Sequence, residues 1–146
     1  MLIRPILPDE IPAASALIRS LFDPYLAPDY TPAGREFFWE FTAPEEIRHR
    51  LGTDSTMLVA EIDGELVGLA KIRDRSHIAC LFVAAPRQGQ GVGKRLLSAA
   101  IAACRPARVT VHASTQAVEF YLRMGFVPDG PARQEHGIHT TPMICG

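Results

Sequence analysis

Residues 87–97 read Arg-Gln-Gly-Gln-Gly-Val-Gly-Lys-Arg-Leu-Leu, between an apolar run and an amphipathic helical pattern. Alternating glycines let a backbone turn tightly and approach a ligand closely. The N–H groups at the start of the following helix point toward one place, beside the positive end of the helix dipole. Such a loop is suited to binding a phosphate group. The segment therefore predicts a phosphorylated ligand, with an ordinary strand-to-helix turn as the alternative.

Two common phosphate-binding patterns do not fit this segment. A P-loop needs G-x-x-x-x-G-K-[ST], but Gln88 stands at its first glycine position and Arg95 follows Lys94. A dinucleotide-binding fingerprint needs G-x-G-x-x-G beside the first strand, whereas here the spacing is G-x-G-x-G, deep in the chain. A third pattern, Q/R-x-x-G-x-G/A, matches residues 88–93.

That third pattern resembles the acetyl-CoA-binding loop of the GCN5-related N-acetyltransferases (GNAT), in which the loop amides cradle the CoA pyrophosphate. A second motif supports the resemblance, because residues 117–126 are similar to the family's A-x-x-F-Y-x-x-x-G-F segment. The tail, residues 137–143, also resembles small bacterial members. Two motifs in the right order are more specific than either alone.

The resemblance implies an α/β (α+β) GNAT fold over residues 1–146, as a single domain. We expect a mixed, mostly antiparallel twisted sheet of about six to seven strands, with about four helices on its two faces. Two of its strands would splay apart at the acetyl-CoA cleft. The residues agree with this order of elements: Asp63-Gly64 predicts a tight hairpin turn, a strand is expected from about His77 to Val83, and a helix follows the glycine loop.

The implied co-substrate is acetyl-CoA, and the family's motifs carry its binding onto a defined set of residues. These are Leu81, Phe82, Val83, Gln88, Gly89, Gln90, Gly91, Val92, Gly93, Lys94, Arg95, Ser114, Ala117, Phe120 and Tyr121. Ser114 departs from the family, which often has Asn there. A serine is expected to cap the following helix, while an amide contact to the ligand is lost.

The implied reaction is direct transfer of an acetyl group to a primary amine of a small molecule or a protein. Tyr121 matches the position that protonates the leaving thiolate, and plain packing is its alternative role. A backbone N–H near Phe82 or Val83 is expected to stabilise the carbonyl oxygen. His77 is the candidate base, because alternation places it on one face with Ala79, Leu81 and Val83. A solvated strand-end histidine is the alternative, and His112 and His139 are weaker candidates.

A second hypothesis is a catalytically silent module that binds CoA for regulation or interaction. It is motivated by Ser114 and by the lack of the glutamate that many members carry on the strand before the loop. A homodimer is compatible with the family. In family members the acceptor substrate usually approaches the early helices. In this chain those helices and their loop span Tyr25 to Leu51 and are rich in aromatic side chains.

Composition excludes several other classes of protein. The net charge of −1 gives no reason to expect nucleic acid as a partner. No apolar run approaches the roughly 18 residues of a membrane span, and the first ten residues do not resemble a signal peptide. The three cysteines form no CxxC pair, and the histidines show no metal-ligand spacing. We therefore expect a cytoplasmic protein with no metal, no membrane partner and buried thiols at Cys80 and Cys104.

Overall fold

The computed structural model describes the backbone of all 146 residues and every side chain except those of Asp23, Tyr25 and Glu135. The described residues form one sheet of eight strands: β1 Leu2–Pro5, β2 Ser55–Ile62, β3 Glu65–Arg73, β4 His77–Val83, β5 Val109–Ser114, β6 Val127–Pro128, β7 Arg133–Glu135 and β8 Ile138–Cys145. Their spatial order is β1-β2-β3-β4-β5-β8-β6, and β7 also pairs with β8. The β4–β5 pair is parallel, and the other pairs are antiparallel.

Five α-helices cover this sheet in the described chain: α1 Ile11–Leu21, α2 Pro32–Phe41, α3 Pro44–Leu51, α4 Val92–Ala103 and α5 Val118–Arg123. On one face, α4 buries Leu96 and Leu97 in a core shared with β3 and β5. On the other face, α1 and α3 bury Ile18 and Ile47. None of the described helices is long and apolar enough to cross a membrane.

The mixed α/β sheet with helices on both faces confirms the predicted fold class. The Asp63-Gly64 hairpin and the bounds of β4 also agree with the sequence prediction. The sheet has eight strands where about six to seven were expected, because the three-residue polar segment β7 adds a strand. Pro32 lies at the first position of α2. Its missing N–H costs nothing at that position, so proline starts this helix.

Candidate functional site

The site is built where two parallel strands separate. β4 and β5 pair only at His77–Thr110 and Ile78–Val111. From Ala79 onward β4 has no partner strand on that side, so the sheet is open there. A cavity of about 230 Å³ lies at the opening. Its lining comes from β4, β5, α5 and the segment around α2, which places the predicted splay and the predicted acceptor wall around one space.

The glycine loop lies beside this opening and leads into α4. Gly89 and Gly91 have φ of +80° and +86°, a backbone region that other residues rarely adopt. Gly91 is the N-cap of α4, so the amides that follow it have no acceptors within the helix. The loop therefore has the backbone geometry of an anion site at the N-terminus of a twelve-residue helix.

Two glutamines of the loop brace the loop itself. The Gln88 Nε2 group donates to the carbonyl oxygen of Val83 at 3.0 Å, and the Gln90 Nε2 group donates to that of Pro86 at 3.1 Å. These bonds hold the loop backbone in shape, and the Gln88 N–H is itself bonded to the Ala85 carbonyl at 3.3 Å, so ligand contact falls to the amides that follow Gln88.

The remaining candidates for binding acetyl-CoA near the loop differ in how exposed their side chains are. Lys94 and Arg95 are exposed in the first turn of α4, where an anion would offset their unfavourable position against the helix dipole. Val92 is buried in the core, so only its backbone faces the loop. A Cβ at Gly93 would lie 3.7 Å from the Phe120 ring, which shows that α5 packs against the start of α4.

The peptide groups of β4 alternate between its two neighbours. The Ala84 N–H donates to the Val67 carbonyl at 2.8 Å, so Ala84 faces β3. Alternation then directs the Phe82 peptide toward β3 as well, and the Leu81 and Val83 peptides toward the open side. The expectation for Phe82 as an oxyanion donor is therefore wrong. Leu81 lines the cavity, and the Val83 peptide, also expected as a donor, faces the open side as well.

Tyr121 lies at the α5 end of the cavity with 4% of its surface exposed. Its ring packs edge-on against Phe120 and Phe126, each at a centroid distance of 5.3 Å. No described group hydrogen-bonds its hydroxyl. Every fully buried polar side-chain atom of the described residues has a partner, so this hydroxyl is not fully buried and reaches the cavity surface. Burial raises the pKa of Tyr121 well above its ordinary value, so the hydroxyl keeps its proton at neutral pH.

Ser114 and Ala117 also line the cavity, at the end of β5. The expected cap is absent, however, because the Ser114 side chain makes no capping hydrogen bond. A 3₁₀ turn, Thr115–Ala117, follows Ser114 and precedes α5.

His77 faces a different side of the sheet from the one that alternation predicts. Lys71 of β3 lies opposite Cys80, but the next residue, Ile72, lies opposite Ile78, so Ala79 is an extra residue in β4. This bulge reverses the alternation. His77 consequently shares a face with Cys80 and not with Leu81, and the predicted placement is wrong.

The surroundings of His77 hold it neutral. Its Nδ1 and the Thr110 hydroxyl are joined by a hydrogen bond of 2.8 Å, and its ring meets His112 at a centroid distance of 4.7 Å. Burial, then the positive charge of Arg73 and then His112, lowers the pKa of His77 to about 4. Both histidines line the cavity. His139 is exposed and bonded to Gln134.

Cys80 and Lys71 lie behind the acceptor end of the cavity. Burial raises the pKa of the Cys80 thiol to about 11, which keeps it protonated and poorly nucleophilic. Lys71 is 2% exposed, and its Nζ lies 4.3 Å from the centre of the Phe41 ring. Sequence reasoning missed Lys71, because its strand pattern does not distinguish a buried lysine from an exposed one. Among the described residues, no cluster of His, Cys, Asp or Glu is suited to a metal.

Aromatic side chains form the acceptor end of the cavity. We name the set Tyr30, Phe37, Phe38, Phe41 and Phe82 the aromatic wall. Two of its rings, Tyr30 and Phe38, contact each other at 5.8 Å, and both also contact Phe22. Phe38 is buried, whereas Phe37 and the neighbouring Trp39 are 39% and 47% exposed. The expected contribution of Tyr25 lies outside the described residues.

A contact between α2 and the turn that joins β7 to β8 borders this end of the cavity, where His136 and Ile138 line it. The Thr31 N–H donates to the Gly137 carbonyl at 3.0 Å, and Tyr30 forms an isolated bridge with Ile138. The Phe37 ring stacks on His136 at 4.5 Å with 4° between the planes. A Cβ at Gly34 would lie 2.6 Å from the Gly137 oxygen, so the two backbones are in close contact. We name this contact of Thr31, Gly34 and Gly137 the clamp.

Comparison with known proteins identifies this arrangement. The model of an acetyltransferase (GNAT) domain matches residues 26–146. The chain belongs to the GNAT acetyltransferase family. GNAT domains transfer acetyl groups from acetyl-CoA, and the glycine loop and splayed strands described above fit that donor. No curated protein matches the chain.

Solved structures share the whole fold at low identity. A GCN5-related N-acetyltransferase from Rhodopseudomonas palustris has 24% identity and a TM-score of 0.80, over 99% of this chain and 94% of that one. The PaiA N-acetyltransferase of Thermoplasma acidophilum, in complex with coenzyme A, has 17% identity and a TM-score of 0.72, over 99% and 97%. A variant of the spermidine N-acetyltransferase SpeG of Vibrio cholerae has 15% identity and a TM-score of 0.69, over 99% and 94%. At these identities the likeness establishes the fold.

Proposed function

We propose that the protein transfers the acetyl group of acetyl-CoA directly to a primary amine. The observation that carries the proposal is the Tyr121 hydroxyl, which is buried, protonated and unbonded among the described residues, at the edge of the cavity between β4 and β5. A leaving thiolate needs a proton donor, and a tyrosine with its proton retained supplies one.

The donor side would be held by backbone groups. The amides of Gly89 to Gly93 would receive the pyrophosphate, with Lys94 and Arg95 near its charge. The Val83 peptide, which faces the open side of β4, would pair with the pantetheine arm. This arrangement would bring the thioester to the cavity between Leu81 and Tyr121.

Each step of the proposed acetyl transfer is assigned to a residue of this chain. Acetyl-CoA supplies an activated thioester. The N–H of Leu81 donates to the carbonyl oxygen as negative charge develops there. The C–S bond breaks as the C–N bond forms, and Tyr121 gives its proton to the sulfur. His77 accepts the proton that the amine loses, since its low pKa keeps the imidazole neutral at pH 7. A base of that strength is best matched to an amine that arrives without its ammonium proton.

The test compares binding with turnover in Tyr121→Phe. The substitution deletes one hydroxyl and keeps the ring between Phe120 and Phe126. We expect acetyl-CoA to raise the melting temperature of both proteins alike, and turnover to fall roughly 100-fold or more in the variant. Ser98→Ala, which deletes an exposed hydroxyl on α4, is the control and should behave as the original protein.

The outcomes are distinct. Absence of any thermal shift with millimolar acetyl-CoA would overturn donor binding. A shift without turnover of any amine would favour the catalytically silent module. Turnover that is unchanged in Tyr121→Phe would remove the tyrosine from the mechanism.

A further inference from the structure

We propose that the acceptor is a small primary amine carried on a single aromatic ring, which lies against the aromatic wall with its amine directed toward His77. This inference rests on the proposed acetyl transfer and names the substrate class of the same site.

The first argument is the composition of the acceptor end. Five aromatic side chains form the wall, and the His77 and His112 rings continue it toward the acetyl end. Aromatic rings in contact prefer edge-to-face or offset arrangements at centroid distances of roughly 4.5–7 Å. The pairs within the wall already use such distances, for example Phe38 with Phe82 at 6.5 Å. A further ring entering the cavity would find edges and faces on more than one side.

The second argument is enclosure. The cavity holds about 230 Å³, and His136 and Ile138, which flank Gly137 of the clamp, line its acceptor end. The clamp joins backbone to backbone, through the 3.0 Å bond from Thr31 to Gly137. A lysine on a protein surface would have to bring its neighbouring chain close to this backbone contact. A molecule with one ring and a short amine arm fits inside the cavity.

The third argument is charge. Of the described side chains that line the cavity, none is a carboxylate. The acids near α2 and α3 lie elsewhere, and Glu46 is engaged with Arg50 at 2.9 Å. The Nζ of Lys71 already occupies one face of the Phe41 ring, so an ammonium on the opposite face would meet a repelling charge across the ring. These features disfavour a polyamine and favour a single amine that becomes neutral on entry.

The experiment measures kcat/KM for 2-phenylethylamine, n-hexylamine, spermidine and a lysine-containing peptide, with release of free thiol from acetyl-CoA as the readout. We expect 2-phenylethylamine to exceed each of the other three at least tenfold. A second measurement follows binding of 2-phenylethylamine and spermidine by calorimetry in the presence of CoA, which does not require turnover.

Matched variants on α2 test the wall. Phe37 lines the cavity and Trp39 does not, although both are exposed and lie two residues apart. Phe37→Ala should raise the KM for 2-phenylethylamine roughly three- to tenfold, with the KM for acetyl-CoA unchanged. Phe37→Tyr should retain the original KM, and Trp39→Ala should leave it unaltered.

The inference is overturned if spermidine, the peptide or n-hexylamine equals 2-phenylethylamine in kcat/KM, or if Phe37→Ala and Trp39→Ala change its KM equally. Binding of 2-phenylethylamine without turnover of any amine would instead overturn the proposed function while supporting the ligand class. Failure of 2-phenylethylamine to bind in the presence of CoA would overturn the inference irrespective of activity with other amines.

Discussion

Gly34→Ala tests whether the clamp closes the acceptor end of the cavity. The new Cβ would lie 2.6 Å from the Gly137 carbonyl oxygen and 2.8 Å from its carbonyl carbon. Both contacts are shorter than real Cβ contacts, and both partners are backbone atoms. The two segments must therefore move apart, and the 3.0 Å hydrogen bond from Thr31 to Gly137 weakens or breaks.

The magnitude follows from three opposing effects. Overpacking costs about 1–3 kcal/mol, and loss of the hydrogen bond costs about 0.5–1.5 kcal/mol. Alanine is favoured over glycine within a helix by about 1 kcal/mol, which offsets part of this cost. The free energy of unfolding should fall by roughly 2 kcal/mol, and the melting temperature by about 4–8 °C for a domain of this size.

The assay combines thermal denaturation with steady-state kinetics. We expect Gly34→Ala to raise the KM for the acceptor and to leave the KM for acetyl-CoA unchanged, because the glycine loop lies away from the clamp. Gly52→Ala is the control, since its Cβ would lie 3.5 Å from the His49 oxygen, an ordinary contact. It should change stability by no more than about 0.5 kcal/mol. Equal melting temperatures and equal acceptor KM values in the two variants would refute the role of the clamp.

Three further predictions concern buried or paired charges. Arg4 holds the pKa of Glu10 at about 2 through hydrogen bonds as short as 2.7 Å. This pair therefore stabilises the fold above the ordinary pKa of the carboxyl, and its effect is lost as the pH falls toward 2. Denaturation of Glu10→Gln should lack that part of the pH dependence, and an unchanged profile would contradict this prediction. His77, with a pKa of about 4, binds its proton more readily in the unfolded chain, so stability should decrease as the pH falls from about 6.5 toward 4. In His77→Asn this decrease should be smaller. An NMR titration of His77 with a midpoint near 6.5 would count against the buried neutral ring. Lys71→Met removes a buried charge that has no carboxylate within ion-pair distance among the described residues. The substitution should raise the melting temperature by about 2–4 °C, corresponding to about 1 kcal/mol. A lower melting temperature would show that the contact of Lys71 with Phe41 outweighs the cost of desolvating its charge.

Much of the fold could be predicted because local chemistry decides it. Asp63-Gly64 has the residues that a tight hairpin turn requires, and the structure has that turn. The glycine loop has the positive φ values that its pattern predicts. In the aromatic run around Phe37, consecutive helical residues cannot face one direction, and both Phe37 and Trp39 are exposed.

Other features depend on tertiary context that a pattern does not contain. The bulge at Ala79 arises from the pairing of β4 with β3, so strict alternation put His77 on the wrong face. Ser114 makes no capping hydrogen bond at the 3₁₀ turn that follows it, and β7 has no apolar residue to signal a strand. The clamp joins residues more than 100 positions apart, as in the contact of Thr31 with Gly137, and no local signal predicts it.

A crystal structure with acetyl-CoA bound is the most direct measurement of the central claim, that acetyl transfer takes place where β4 and β5 separate. We predict the pyrophosphate on the amides of residues 89–93, the acetyl oxygen within hydrogen-bonding distance of the Leu81 N–H, and the sulfur beside the Tyr121 hydroxyl. Acetyl-CoA bound with its thioester away from both Leu81 and Tyr121, or without contact to the glycine loop, would contradict the account.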